Sequence, residues 1–200
     1  MKNLTRSLTL ATLLGIASVA NAQVWNEASD AGATPQTAQI TMGDGPLTTI
    51  LGTLDPATDV DVFQINVTDV NVFSITFNGT ALSADNDMKV FVMDAAGNLV
   101  ITDDDGGPGF LPQINVGDLS GQTPGIFTIA YGLFNMNAIG TTPVTGFTVS
   151  PNPLQTGTVQ MNFTGASFAV SATAAVPEPG SVALLVGAGI GGVMLRRRKK

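Results

Sequence analysis

The chain has 200 residues with 15 acidic and 8 basic side chains, no cysteine and no histidine. That inventory excludes a disulfide framework, thiol nucleophiles, triads with histidine as base and ordinary zinc sites. Lys2 and Arg6 lie at the start and Arg196, Arg197, Arg198, Lys199 and Lys200 at the end, so residues 23–176 hold fourteen acidic side chains against Lys89 alone. A body this acidic cannot neutralise phosphates, which excludes nucleic acid and anionic lipid as partners and leaves divalent cations, cationic polymers and neutral sugars.

In chain order, Lys2 and Arg6 make a positive opening, Leu8 to Ala20 is an uncharged apolar run, and Ala20-Asn21-Ala22 is an A-x-A cleavage site. A buried first helix of a cytosolic domain competes with a signal peptide here. The order of basic start, apolar run and small-residue site favours the signal peptide, residues 1–22, with the mature chain starting at Gln23. Passage through the Sec translocon and cutting by signal peptidase follow from that reading.

Residues 23–36 are small and polar and are expected to form a flexible leader; Trp25 within it is expected to dock onto the domain rather than stack on a ligand. From residue 37 to 171, short apolar runs alternate with turn signals. Leu47 to Leu51 is one run. Phe63, Ile65 and Val67 alternate with polar neighbours, as do Phe73, Ile75 and Phe77 before the turn at Asn78-Gly79. Met88 to Met93 is apolar on both faces except at Lys89, which predicts a strand covered on both sides, and Leu99 to Thr102 returns from the turn at 94–98.

Asp103-Asp104-Asp105-Gly106-Gly107-Pro108-Gly109 reads as an exposed loop, since charge, Gly and Pro are depleted in strand interiors. Further strands are expected around Ile114 and Val116, Phe127 to Tyr131, Phe147 and Val149, Val159 to Phe163, and Phe168 and Val170. Eight to ten short strands without an amphipathic helix predict an all-β fold, an antiparallel β-sandwich.

Residues 172–180 form a linker that carries Pro177-Glu178-Pro179. Residues 181–195 are uncharged and form the expected transmembrane helix, at roughly 15 residues shorter than the ~20 that span a bilayer core. The basic residues 196–200 follow as a cytoplasmic tail that orients the helix. This end resembles the PEP-CTERM sorting signal, which combines a Pro-Glu-Pro motif, a short membrane stretch and a basic terminus. The resemblance implies recognition of Pro177, Glu178 and Pro179 by a membrane protease of the exosortase type, with cutting near the motif. An unprocessed tail anchor is the alternative. Gly187, Gly189 and Gly192 satisfy G-x-G-x-x-G, but the chain ends too soon for a dinucleotide site, so they read as helix glycines.

A second resemblance lies in the body. Asp59-Val60-Asp61-Val62-Phe63, then Asp87 to Asp94 with Gly97 and Asp103-Asp104-Asp105, then Gly125 to Ala130 are similar to strands and loops of the bacterial pre-peptidase C-terminal (PPC) type domain. That resemblance implies a non-catalytic β-sandwich accessory domain, some of whose relatives bind calcium or matrix polymers.

Calcium wants several oxygen ligands, and the candidates are Asp103, Asp104 and Asp105, and Asp85 and Asp87. Neither loop is an EF-hand, because the twelfth position counted from Asp103 is Ile114. The alternative is that these aspartates form turns and solvated loops. Asp59 and Asp61 read chiefly as residues that cap and orient the strand after them. Asn66, Asn78 and Asn162 fit N-x-[ST], a frequent chance match in a sequence rich in Asn and Thr.

The expected function is a non-enzymatic component of the cell surface or extracellular matrix, associated with exopolysaccharide. A calcium-assisted carbohydrate- or polymer-binding module is the alternative, with Trp25, Tyr131, Phe110 and Phe134 as candidate stacking aromatics. A glycosidase built on two aspartates is the remote third; Glu27 is the sole glutamate of residues 23–176, so a Glu-Glu pair is excluded.

Overall fold

The structure, a computed structural model, describes residues 22–55, 58–79, 87–150 and 157–172. The expected signal peptide apart from Ala22, the Pro-Glu-Pro motif, the membrane segment, the basic tail and Asp85 lie outside the described residues. Among the described residues no helix is long and apolar enough to cross a membrane.

The described elements are strands with one 3-10 turn at Pro35–Thr37. The first five strands are β1 (Gln23–Asn26), β2 (Gln39–Ile40), β3 (Leu47–Leu54), β4 (Val60–Val67) and β5 (Ser74–Gly79). They are followed by β6 (Met88–Met93), β7 (Leu99–Asp103), β8 (Gln113–Ile114) and β9 (Gly125–Leu133). The last four are β10 (Asn137–Ile139), β11 (Gly146–Thr148), β12 (Gly157–Thr164) and β13 (Ala166–Phe168).

One sheet has the order β1-β3-β12-β5-β8; the other runs β13-β4-β9-β6-β7, with β2 also on β4; β10 and β11 form a separate hairpin. The two large sheets face each other across one core. Ile50 and Leu54 of β3, Ile75 and Phe77 of β5, and Val159 and Met161 of β12 meet Phe63 and Ile65 of β4 and Phe127 and Ile129 of β9 there. These residues sit every second position, as a strand with one buried face requires.

A second core lies on the outer face of the β4-β9-β6 sheet. Val60, Val62, Phe91, Met93 and Ala130 are buried there against Met136 and Val144. Strand β6 is therefore covered on both faces, as its apolar sequence, interrupted only by Lys89, predicts.

The all-β expectation holds, but the sheets are mixed rather than purely antiparallel. β1 pairs parallel with β3, and β2 pairs parallel with β4. β1 comes from residues 23–36, the segment expected to be a flexible leader, and starts at Gln23, the expected first residue of the mature chain; β2 lies just after that segment, at the start of the expected sandwich domain. Strands of four and two residues at a sheet edge need little apolar patterning, so composition conceals them.

One side chain of β2 helps to tie β1 and the residues after it in place. Gln39 Oε1 accepts from the Trp25 indole N–H at 2.8 Å and from the Ala28 N–H at 3.0 Å, while Gln39 Nε2 donates to the Ala28 carbonyl at 2.9 Å. Trp25 packs on the core and meets Phe168 edge-on at 6.4 Å. It docks, as expected, and is not available as a stacking platform.

Candidate functional site

The strand β4 alternation continues backwards from Phe63 to Asp61. Asp61 therefore points into the core between the sheets, in phase with Phe63, Ile65 and Val67, and is 0% exposed. Its register partner on β9 is Tyr131, also 0% exposed. Tyr131 stacks on Phe63 at 6.0 Å and meets Phe77 edge-on, which fixes its ring.

Neither oxygen of Asp61 nor the hydroxyl of Tyr131 has a hydrogen-bond partner of good geometry. Buried polar groups are nearly always paired, so this end of the core is an exception that calls for a cause. Across from it stands Gly52 of β3. A β-carbon there would fall onto the Tyr131 hydroxyl and lie 3.3 Å from both Asp61 Oδ2 and Glu27 Oε2. Glycine keeps open the space in which these three groups meet.

Glu27 and Asp30 enter this space from the leader. Carboxylate oxygens of Glu27, Asp30 and Asp61 all lie within 4.8 Å of one another. Glu27 is held in place by accepting from the Ala31 N–H at 2.9 Å and the Thr53 N–H at 2.8 Å, and Asp30 accepts from the Gly32 N–H at 3.2 Å. Beside them, Asp59 accepts from the Asp55 N–H at 2.9 Å. The mouth is a cleft of about 320 Å³ lined by Glu27, Ser29, Asp30, Thr53, Asp55 and Asp59.

The electrostatics follow from burial and crowding. Burial pushes the Asp61 carboxyl up to about 8; the Tyr131 hydroxyl opposes this, while the charges of Glu27 and Asp59 reinforce it. Burial also raises Asp59, and burial followed by the charge of Asp61 raises the Tyr131 hydroxyl. The one base in the body, Lys89, is engaged elsewhere, with Asp104 at 3.6 Å.

The acidic loop singled out from the sequence is arranged differently. Asp103 Oδ2 accepts from the Gly106 and Gln113 N–H groups, both at 2.8 Å, and so closes its own loop. Asp104 faces Lys89. Among the described residues, the carboxylates that converge tightly enough for one ion are Glu27, Asp30 and Asp61, and not Asp103, Asp104, Asp105 or Asp87. Asp61 does not merely cap a strand, because it lies inside β4. Glu27 and Asp30 carried no local signal, since they reach the site only through the docking of β1.

All three N-x-[ST] asparagines sit inside strands: Asn66 donates to Ser167, Asn162 accepts from Gln160, and Asn78 pairs with Gln160 in β5, so Asn78-Gly79 ends a strand rather than forming the expected turn. A larger groove, about 380 Å³, lies between residues 94–96 and 122–127, and its titratable member Asp94 is consumed by turn hydrogen bonds.

Residues 175–199 match the PEP-CTERM protein-sorting motif. The chain thus carries a sorting tail of the kind that exosortases process, and this supports export with a membrane-anchored sorting signal. No curated protein and no solved structure gives a significant match to the chain.

Proposed function

We propose that the chain is a non-enzymatic component of the cell surface or extracellular matrix, delivered through its PEP-CTERM tail and associated with exopolysaccharide. In this reading the Sec translocon and signal peptidase act on the first 22 residues, and an exosortase-type protease acts near Pro177-Glu178-Pro179. The observation that carries the proposal is the sorting motif at 175–199. The body between the processing segments is an acidic all-β domain whose sequence resembles PPC-type accessory domains. The absence of histidine and cysteine restricts the nucleophiles and bases on which hydrolases commonly rely. Asp61 is too deeply buried to meet a polymer substrate, which weighs against an aspartate-pair glycosidase.

The test is the intact mass of the protein in membrane and extracellular fractions of its host. Loss of residues 1–22 and of the tail, with the product outside the cell, is expected. A full-length C-terminus held in the membrane overturns the matrix assignment. Replacing Pro177-Glu178-Pro179 by alanines is expected to leave the tail attached.

A polymer-binding role is the second reading, favoured by one surface feature. Phe110 and Phe134 are 53% and 41% exposed. Their backbones flank the start of β6: the Phe110 carbonyl accepts from the Met88 N–H, and the Phe134 N–H donates to the Asp87 carbonyl. Two exposed aromatics near an aspartate suit a sugar chain better than the buried Tyr131 or the docked Trp25. Saturable retention on an exopolysaccharide column, lost in the Phe110→Ala/Phe134→Ala variant, distinguishes this reading from passive residence in the matrix.

A further inference from the structure

We infer that Glu27, Asp30 and Asp61 form a calcium site that fastens the leader to the sandwich. Two independent observations carry this. The first is convergence: three carboxylate oxygens within 4.8 Å of one another can all touch one ion at calcium–oxygen distances of roughly 2.3–2.6 Å. The second is the state of Asp61, which is 0% exposed, with neither oxygen in a hydrogen bond of good geometry, and aimed into the cluster. A desolvated carboxylate facing two others without a cation is a costly arrangement. A bound divalent ion removes that cost by supplying the missing partner.

The donors select the ion. The cluster offers only hard oxygens, with no imidazole or thiolate anywhere in the chain, which disfavours zinc and copper. Its ligands come from separate segments, a leader and a strand, and three carboxylates alone fill only part of a coordination shell. Calcium accepts such a set and completes its shell with carbonyls and water, whereas magnesium requires a near-ideal octahedron. Gly52 supplies the room, and the acidic cleft at the mouth supplies both an entry path and an attractive field.

The site joins segments that the sequence keeps apart. Glu27 and Asp30 belong to the leader, and Asp61 belongs to β4 in the opposite sheet from β1. A bound ion therefore bridges the two sheets at this end and locks β1 in its parallel pairing. The inference is independent of the sorting motif, so either can fail without the other.

The single tryptophan, Trp25, lies two residues from Glu27 and reports on the site directly. The experiment is titration of the full chain, purified in detergent and stripped with chelator, with calcium chloride against magnesium and sodium chloride controls. Trp25 emission, melting temperature and terbium luminescence sensitised by Tyr131 and Trp25 are followed. Calcium is expected to raise the melting temperature and shift Trp25 emission at concentrations where magnesium does neither.

Asp30→Asn, at an exposed residue, leaves the fold intact and is expected to weaken calcium binding about tenfold or more, because one ligand charge is lost. Asp61→Asn keeps the shape, folds without calcium at least as well as the parent, and loses the calcium response. A flat calcium titration of the parent chain overturns the inference. So does a response that survives both substitutions, or one removed only by Asp103→Asn, which places the ion in the 103–105 loop.

Discussion

Asp61 and Tyr131 stand directly opposite each other on β4 and β9, and both polar ends are sealed in the core without a hydrogen-bond partner of good geometry. The contact that matters for stability there is the ring and not the hydroxyl. The ring stacks on Phe63 and meets Phe77, whereas the hydroxyl only faces a carboxylate. Tyr131→Phe is expected to stay within about 1 kcal/mol of the parent in chelator, since one buried hydroxyl without a good partner is lost. Tyr131→Ala is expected to cost about 3–5 kcal/mol, as for other large aromatic truncations. Urea unfolding of both variants checks the pair. Equal losses would show that the hydroxyl holds a partner of its own.

Gly52 has the opposite role, because its value lies in what it lacks. A methyl group there collides with the Tyr131 hydroxyl and crowds Asp61 and Glu27. The hydroxyl sits on a ring fixed by two aromatic neighbours, so the ring cannot swing aside. Gly52→Ala is expected to destabilise the fold by about 1–3 kcal/mol through overpacking, despite the gain in strand propensity that alanine brings over glycine. A melting temperature unchanged from the parent would mean that this corner is looser than the distances imply.

Much of the fold is legible in the sequence because burial on one face imposes a period of two. Met88–Met93 emerges with the expected bounds, and Phe63, Ile65, Val67, Phe127 and Ile129 all face the common core. The edge strands are not legible. β1, β2 and β10 pair on one side and bury no residue fully, and β1 alternates with Gln23 turned inward and Val24 outward, against the hydrophobic pattern. The candidate site was half visible. Extending the alternation back by one step from Phe63 puts Asp61 inside, a position that an unpaired charge does not ordinarily occupy. Asp103-Asp104-Asp105 stands out by its density of aspartate, which is what tight loops also need. Glu27 and Asp30 depend on long-range docking, which no local pattern encodes.

Asp94 provides a pH prediction away from the cluster. Desolvation raises its pKa, but hydrogen bonds from the Asn98 side chain and from the N–H groups of Asn98, Ala96 and Gly97 outweigh this and hold it below the ordinary value of 3.8. A folded-state pKa below the unfolded one contributes stability that is present above the unfolded pKa and lost as pH falls through the folded value. Asp94→Ala is therefore expected to lower stability by about 1 kcal/mol at neutral pH, with the difference shrinking below about pH 4. Thermal melts of parent and variant from pH 2 to 7 measure it. A gap that stays constant across that range would assign the effect to the turn backbone rather than to the charge.

Gln39 controls whether the leader is part of the domain. Its amide makes three hydrogen bonds to Trp25 and Ala28, the residues that flank Glu27. β1 and Glu27 otherwise hold to the body through the pairing with β3, the seat of Trp25 against Phe168, the bond from the Glu27 N–H to the Leu51 carbonyl, the Thr53 N–H donating to the Glu27 carboxylate and the Thr48 hydroxyl donating to the Gln23 carbonyl. Gln39→Ala removes all three amide bonds while leaving the inter-sheet core untouched. The expected result is local opening: faster amide exchange over residues 24–31 and red-shifted Trp25 emission, with protection in β4 and β9 unchanged. Global unfolding at the same denaturant concentration as the parent would accompany it. A fall in protection across β4 and β9 as well would show instead that the leader and the sandwich fold as one cooperative unit, so that calcium at Glu27 stabilises the whole body and not the leader alone.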